Sequence, residues 1–199
     1  MVERLVDRLT DRIMTDKSIA EDMREWYKYA LLRIIETSVS FCFILLIGIV
    51  LGCFVPMCLF CLFFSLLRNR TGGFHFEKTW QCFLGSGACV VIVRFTEKYT
   101  GGYPALIYSL LFVSAVIIAL VGTVNHPNIN MNIRELRESK KVARLILAGE
   151  LATVVIFELI GVERIYINYM ILAIIMCAAL IILAKLKNQE VIIYEQQNK

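Results

Sequence analysis

The chain is 199 residues long, 58% hydrophobic, with mean hydropathy +0.68 and net charge +4. It is too apolar for an ordinary soluble domain and has the composition of a polytopic, all-α membrane protein. The charge is too small to call for a nucleic-acid partner, and no nucleic-acid motif occurs; the expected surroundings are a lipid bilayer.

We read a single integral domain over 1–199, with amphipathic N-terminal helices over 1–33 and a membrane core over 34–187. The charged N-terminus is not expected to be a cleavable signal peptide. Residues 1–14 have helical spacing. Val2, Leu5, Val6, Leu9 and Ile13 line one face, and Glu3, Arg4, Asp7, Arg8, Asp11 and Arg12 fill the other. Such a helix either lies in the membrane interface or packs on the rest of the protein; both courses leave a surface for a second amphipathic peptide. Ser18-Ile19-Ala20-Glu21 is a capping box that starts the next helix. That helix is polar through Arg33 and apolar over 37–52, with Trp26, Tyr27 and Tyr29 as interfacial anchors. Gly52 and Pro56 mark a turn. The return run, 55–67, measures only about 20 Å as a helix, short of a full span. It implies a tilt, a locally thin bilayer or a following loop drawn inward.

Residues 68–82 are polar and broken by glycine. Beyond them, 83–93 is apolar with small residues Gly85, Ser86, Gly87 and Ala88, which permit close helix contact in a membrane. A polar turn is expected over 94–103, then the cleanest span over 103–121 and a polar, basic stretch over 125–141. The runs 145–161 and 165–184 form a last hairpin, followed by a frayed tail. This gives six membrane segments. Lys and Arg test the orientation: seven lie in 1–33, three in 68–78, five in 134–144 and three in 185–199, so 18 of 21 fall on one side. Arg94, Lys98 and Arg164 fall on the other. The inside bias of cationic loops then puts the N-terminus and the 68–82 loop in the cytoplasm of a multi-pass cell-membrane protein.

That loop carries the chemistry. It holds His75, one of two histidines, and Cys82 seven residues on. Imidazole and thiol are the minimum pair for cysteine catalysis, the imidazole taking the thiol proton and returning it to the leaving amine. Gly72 and Gly73 let the backbone bend back. Arg68, Arg70 and Lys78 favour a thiolate or an acidic peptide. On one continuous helix His75 and Cys82 would share a face but stand about 10.5 Å apart along its axis. So either the helix starts after His75 and the loop folds the imidazole back, or the partner comes from another protomer. We favour the first, with Thr79 as cap and Cys82 in the first turn, where the helix dipole lowers a thiol pKa. Gln81 or backbone amides are candidates for an oxyanion hole. Glu77 and Ser86 are weaker supporting candidates.

The segment resembles the accessory gene regulator protein B (AgrB) family, membrane peptidases of quorum-sensing pro-peptides. The family pattern of Arg, three residues, Gly-Gly, one residue, His, six residues, Cys is met by Arg68, Gly72, Gly73, His75 and Cys82. The resemblance covers most of the chain. It implies a membrane cysteine endopeptidase in which Cys82 attacks and His75 serves as base and then acid. It implies as substrate a short amphipathic pro-peptide with an acidic C-terminal tail, cyclised on release to an autoinducing peptide. It also implies a homodimer. His126-Pro127-Asn128 matches a family turn, but Ile129 stands where many members have lysine.

No cofactor or metal is expected. Cys42, Cys53, Cys58, Cys61, Cys89 and Cys177 sit in apolar runs, and the Cys58–Cys61 spacing lacks a second pair. Glu150 and Glu158 are intramembrane carboxylates and so carry a functional expectation of their own; Glu150 joins the site-supporting residues, and Glu158 faces Arg164. The helix count with these carboxylates also supports an alternative, a small membrane transporter or exporter of peptides, though no inverted repeat is seen.

Overall fold

The structure is a computed structural model that describes residues 2–14, 24–74, 79–100, 102–125 and 131–189. Among these, all regular structure is helical: α1 (Val2–Met14), α2 (Arg24–Val50), α3 (Phe54–Thr71), α4 (Thr79–Thr100), α5 (Pro104–Val121), α6 (Ile133–Leu159) and α7 (Arg164–Leu186). The all-α expectation stands; against the six membrane segments expected, four helices among the described residues are long and apolar enough to cross a membrane: Ala30–Val50 of α2, then α3, α5 and α7. α4 opens on Thr79, Trp80 and Gln81 and closes with Arg94, Glu97 and Lys98. The apolar part of α6 begins after Arg144 and contains Glu150 and Glu158.

Three boundaries differ from the sequence pattern. The short run 55–67 is part of an 18-residue helix, because α3 continues through Arg68, Asn69, Arg70 and Thr71. It reaches membrane length by spending its last turn on polar residues, so neither a tilt nor a thin bilayer is needed. The turn expected over 94–103 is mostly helix. Arg94 pairs with Glu97 at 2.9 Å one turn on, and the Thr100 hydroxyl donates to the Thr96 carbonyl. The basic stretch over 125–141 is helical from Ile133, started by a capping box in which Asn132 and Glu135 each accept the other's backbone amide at 2.9 Å. The capping box proposed at Ser18 lies outside the described residues.

α7 is the helix around which the others pack. It touches α3, α4, α5 and α6, and its buried residues run from Ile167 through Ile174 and on to Cys177, Ala178, Ile181 and Ala184. A helix buried on most sides must be apolar all round, and Ala173, Ala178 and Ala184 keep its neighbours close. Met57, Phe60 and Leu67 of α3, Ile107 and Ile118 of α5, and Leu147 and Val154 of α6 complete the core.

Polar contacts hold both ends. At one, the Tyr108 hydroxyl donates to Glu158, which also pairs with Arg164 at 3.6 Å, joining α5, α6 and α7. That is the partnership the sequence suggested for Glu158. At the other, basic end, Arg144 Nε donates to the Ala119 carbonyl at 2.9 Å, and the hydroxyls of Thr123 and Ser139 both donate to the Arg70 carbonyl. α1 takes the second of its two expected courses and packs on α2. Val6 and Thr10 are buried there, and Asp7–Lys28 (2.7 Å) and Asp11–Arg24 (2.8 Å) flank the contact.

Candidate active site at the basic end

The site is built on the last turn of α3. Thr71 ends the helix and Gly72 and Gly73 turn the chain away with φ of 63° and 117°. These are conformations that a Cβ disfavours, and here space forbids one as well. A Cβ on Gly72 would stand 2.9 Å from the Val124 carbonyl oxygen; one on Gly73 would overlap Arg68 Nη1 and meet the Leu180 carbonyl oxygen at 3.1 Å. The glycine pair thus serves close packing more than flexibility.

Phe74 is then held at both polar backbone atoms. Its amide donates to the Leu180 carbonyl of α7 at 3.0 Å, and its carbonyl accepts from Arg68 Nη2. A third strut, Val124 N–H to Thr71 O at 2.8 Å, fastens the end of α3 to the segment after α5. That segment is fixed in turn by the buried Asn125, whose side chain accepts from Met131 N–H (2.9 Å) and donates to Met131 O (3.1 Å). The chain is therefore handed to residue 75 from an anchored point, and Arg68 is the side chain that anchors it.

His75, Glu77 and Lys78 lie outside the described residues, as do His126 and Ile129; the side chains of Thr79 and Cys82 do as well. The backbone of Cys82 is described: it is the fourth residue of α4, in the first turn as the sequence suggested. Five residues from Phe74 to Thr79 reach at most about 18 Å, so α4 must open at the basic end.

The remaining expected residues separate. Gln81 is half-buried beside Cys82 in sequence, and Arg70 is exposed. Arg70 contributes its carbonyl to the packing and leaves its guanidinium at the surface, where Arg137 and Lys141 of α6 are also exposed. Glu150, expected among the site-supporting residues, is buried in the bundle. Among the described residues no group of three or more His, Cys, Asp or Glu is arranged to hold a metal ion, the Cys58–Cys61 pair included. Sequence reasoning missed Leu180, Val124, Thr123 and Ser139. The first two act through backbone atoms and leave no mark in side-chain chemistry. Asn132 and Glu135, by contrast, were readable as a capping box that would have placed α6, and Ser139 with it, at this end.

A family model described as Accessory gene regulator B matches residues 4–184. No curated protein and no solved structure matches the chain.

Proposed function

The chain belongs to the accessory gene regulator B family, and from that premise we propose that it is a membrane cysteine endopeptidase that trims and cyclises a quorum-sensing pro-peptide. The Cys82 thiol gives its proton to His75 and attacks the carbonyl of the peptide bond before the substrate's acidic tail. The tetrahedral intermediate collapses as His75 protonates the leaving amine, the tail departs, and the rest of the substrate is held on Cys82 as a thioester. A thiol or hydroxyl within the substrate then attacks that thioester carbonyl. The ring closes, and Cys82 leaves as thiolate and recovers its proton. Intramolecular attack competes well because both groups are held on one chain, and exclusion of water protects the thioester from hydrolysis.

The observation that carries this reading is the double anchoring of Phe74, next to His75, at the end of the bundle where α4 opens with Cys82. A general base on a free loop loses its geometry; anchoring its neighbour limits that loss. The first-turn position of Cys82 favours a thiolate. Arg70, Arg137 and Lys141 present cations for the acidic tail, with this end of the bundle in the cytoplasm. The proposed transport activity has no comparable support.

The test is incubation of the protein, reconstituted in vesicles, with the short pro-peptide encoded beside it, read by mass spectrometry next to Cys82→Ala and His75→Ala. Wild type alone releases the C-terminal fragment, leaving a remainder lighter by one water than the linear acid. Cleavage that survives Cys82→Ala removes the nucleophile. Uptake of intact peptide without cleavage supports the exporter instead.

A further inference from the structure

The last four carbonyls of a helix have no partner within it, and what meets them decides where the chain goes next. At the end of α3, the Arg68 carbonyl accepts the Gly72 amide at 3.1 Å, which merely closes the final turn. Two others are met from outside the helix. The Arg70 carbonyl accepts the Thr123 and Ser139 hydroxyls at 2.9 and 3.1 Å, and the Thr71 carbonyl accepts the Val124 amide at 2.8 Å. α3 is therefore capped in trans, by the segment after α5 and by the second turn of α6. The Val124 backbone also lies against Gly72, where the chain turns toward His75.

One carboxamide ties the two parts of this cap together. Asn125 is fully buried, and a buried carboxamide has to be paired. Its oxygen accepts the Met131 amide at 2.9 Å and its nitrogen donates to the Met131 carbonyl at 3.1 Å. A side chain here makes the two-way bond that one backbone unit would make with another. On one side of the tie stand Thr123 and Val124, which cap α3 directly. On the other stands Asn132, the first cap of α6, and the start of α6 decides whether Ser139 reaches the Arg70 carbonyl. The residue type is restricted as well. An ionised aspartate has the same shape but no donor, and leucine has neither group. Either would leave polar backbone groups of Met131 unpaired, which costs more than the bond itself contributes.

We propose that Asn125 is a positioning residue for the dyad: through Met131 it holds the cap on the end of α3, and so sets the direction in which residues 72–74 carry the chain to His75. Asn125 touches no substrate in this scheme. Its catalytic consequence rests on the peptidase reading, whereas its hold on the end of α3 can be measured without it.

The experiment uses the full chain in lipid nanodiscs, with Asn125→Leu, Asn125→Asp, Thr123→Val, the Asn125→Asp/Thr123→Val double variant, and Tyr108→Phe from the opposite end as control. Two quantities are read. One is hydrogen exchange of the Gly72 and Phe74 amides, which are bonded to Arg68 and Leu180 rather than to residue 125. The other is pro-peptide cleavage kinetics. Asn125→Leu and Asn125→Asp are expected to speed exchange at both amides about tenfold and to lower kcat about 10- to 100-fold with KM little changed. Thr123→Val, which keeps its shape, acts in the same direction more weakly. The double variant is no worse than Asn125→Asp alone, because both residues act on one cap. Tyr108→Phe lowers thermal stability and leaves exchange and kcat at the wild-type values, which separates positioning from general loosening. The proposal is overturned if the Asn125 variants leave Gly72 and Phe74 exchange and kcat unchanged, if Tyr108→Phe slows cleavage as much as they do, or if the Asn125 and Thr123 losses simply add. Should Asn125→Leu not fold, Asn125→Asp and Thr123→Val carry the same outcomes. If wild type cleaves nothing, the peptidase reading fails, and the exchange data alone decide whether Asn125 holds the end of α3.

Discussion

α2 and α7 are both long, apolar, membrane-length helices, yet 67% of the α7 span is buried in the bundle against 6% of the α2 span. In water such apolar surfaces would be buried alike. In lipid, apolar character only licenses a helix to enter the membrane, and shape decides which helix becomes the core. α7 brings alanines at its contacts and a backbone carbonyl, that of Leu180, into the candidate site. α2 presents large side chains such as Leu46, Ile49 and Val50 outward, and packs mainly on α1, α3 and α4 rather than on α7. Changes against α7 should therefore cost more than changes of the same size elsewhere, and that ordering can be tested.

The largest effect is expected at Gly73, where an added Cβ meets Arg68 and the α7 backbone. Gly73→Ala should lower pro-peptide cleavage by about 100-fold or more, since the chain entering His75 is displaced, while circular dichroism keeps its helical signal. The contrasting glycine is Gly149 in α6, with nothing within 4 Å of an added Cβ. Gly149→Ala should raise stability by about 0.5–1 kcal/mol, as for any helix interior. Equal effects at the two sites would break the comparison.

Next is packing. Ala173 of α7 is fully buried, so Ala173→Leu should destabilise by about 1–3 kcal/mol in unfolding measurements in bicelles. Leu46→Ala on the exposed face of α2 should stay within about 0.5 kcal/mol. Third is the cluster at the end away from the site: Tyr108→Phe removes the hydroxyl bonded to Glu158 and should cost about 0.5–2 kcal/mol, the range for interhelical hydrogen bonds in membranes. Smallest is the α1–α2 contact. Asp11→Asn removes a pair whose side chains are 41% and 62% exposed, so the change should fall below about 1 kcal/mol and fade as salt rises.

Much of this fold was legible because apolar runs in a membrane protein announce themselves. The spans at α5 and α7 emerged within a few residues of their observed bounds, whereas the run read from 145 belongs to a helix that starts at Ile133. Errors came where a helix carries polar residues past the apolar run. Arg68 to Thr71 were read as loop because they are polar, but in a helix that ends at the membrane boundary the last turn is free to be polar. Residues 94–100 were misread for the same reason. At the candidate site, the residue types of Arg68, Gly72 and Gly73 were readable, but their tasks were not. The glycines looked like hinges and are close contacts; Arg68 looked like a cation for substrate and instead holds a backbone carbonyl. Such roles depend on what lies across the bundle, and periodicity carries no information about a partner a hundred residues away.

The bond from Phe74 to Leu180 also sets an order of events in time. α7 follows the other six helices in the chain, so when α3 and the segment after it leave the ribosome, the surface that will receive them has not been made. Residues 72–74 must wait through the synthesis of three further helices. Until then α3 to α6 lack their common packing partner, a long-range arrangement that slows folding and exposes unfinished chains to mispairing. A nascent chain halted before α7 would carry both residues of the proposed dyad and still lack the Leu180 strut that holds Phe74.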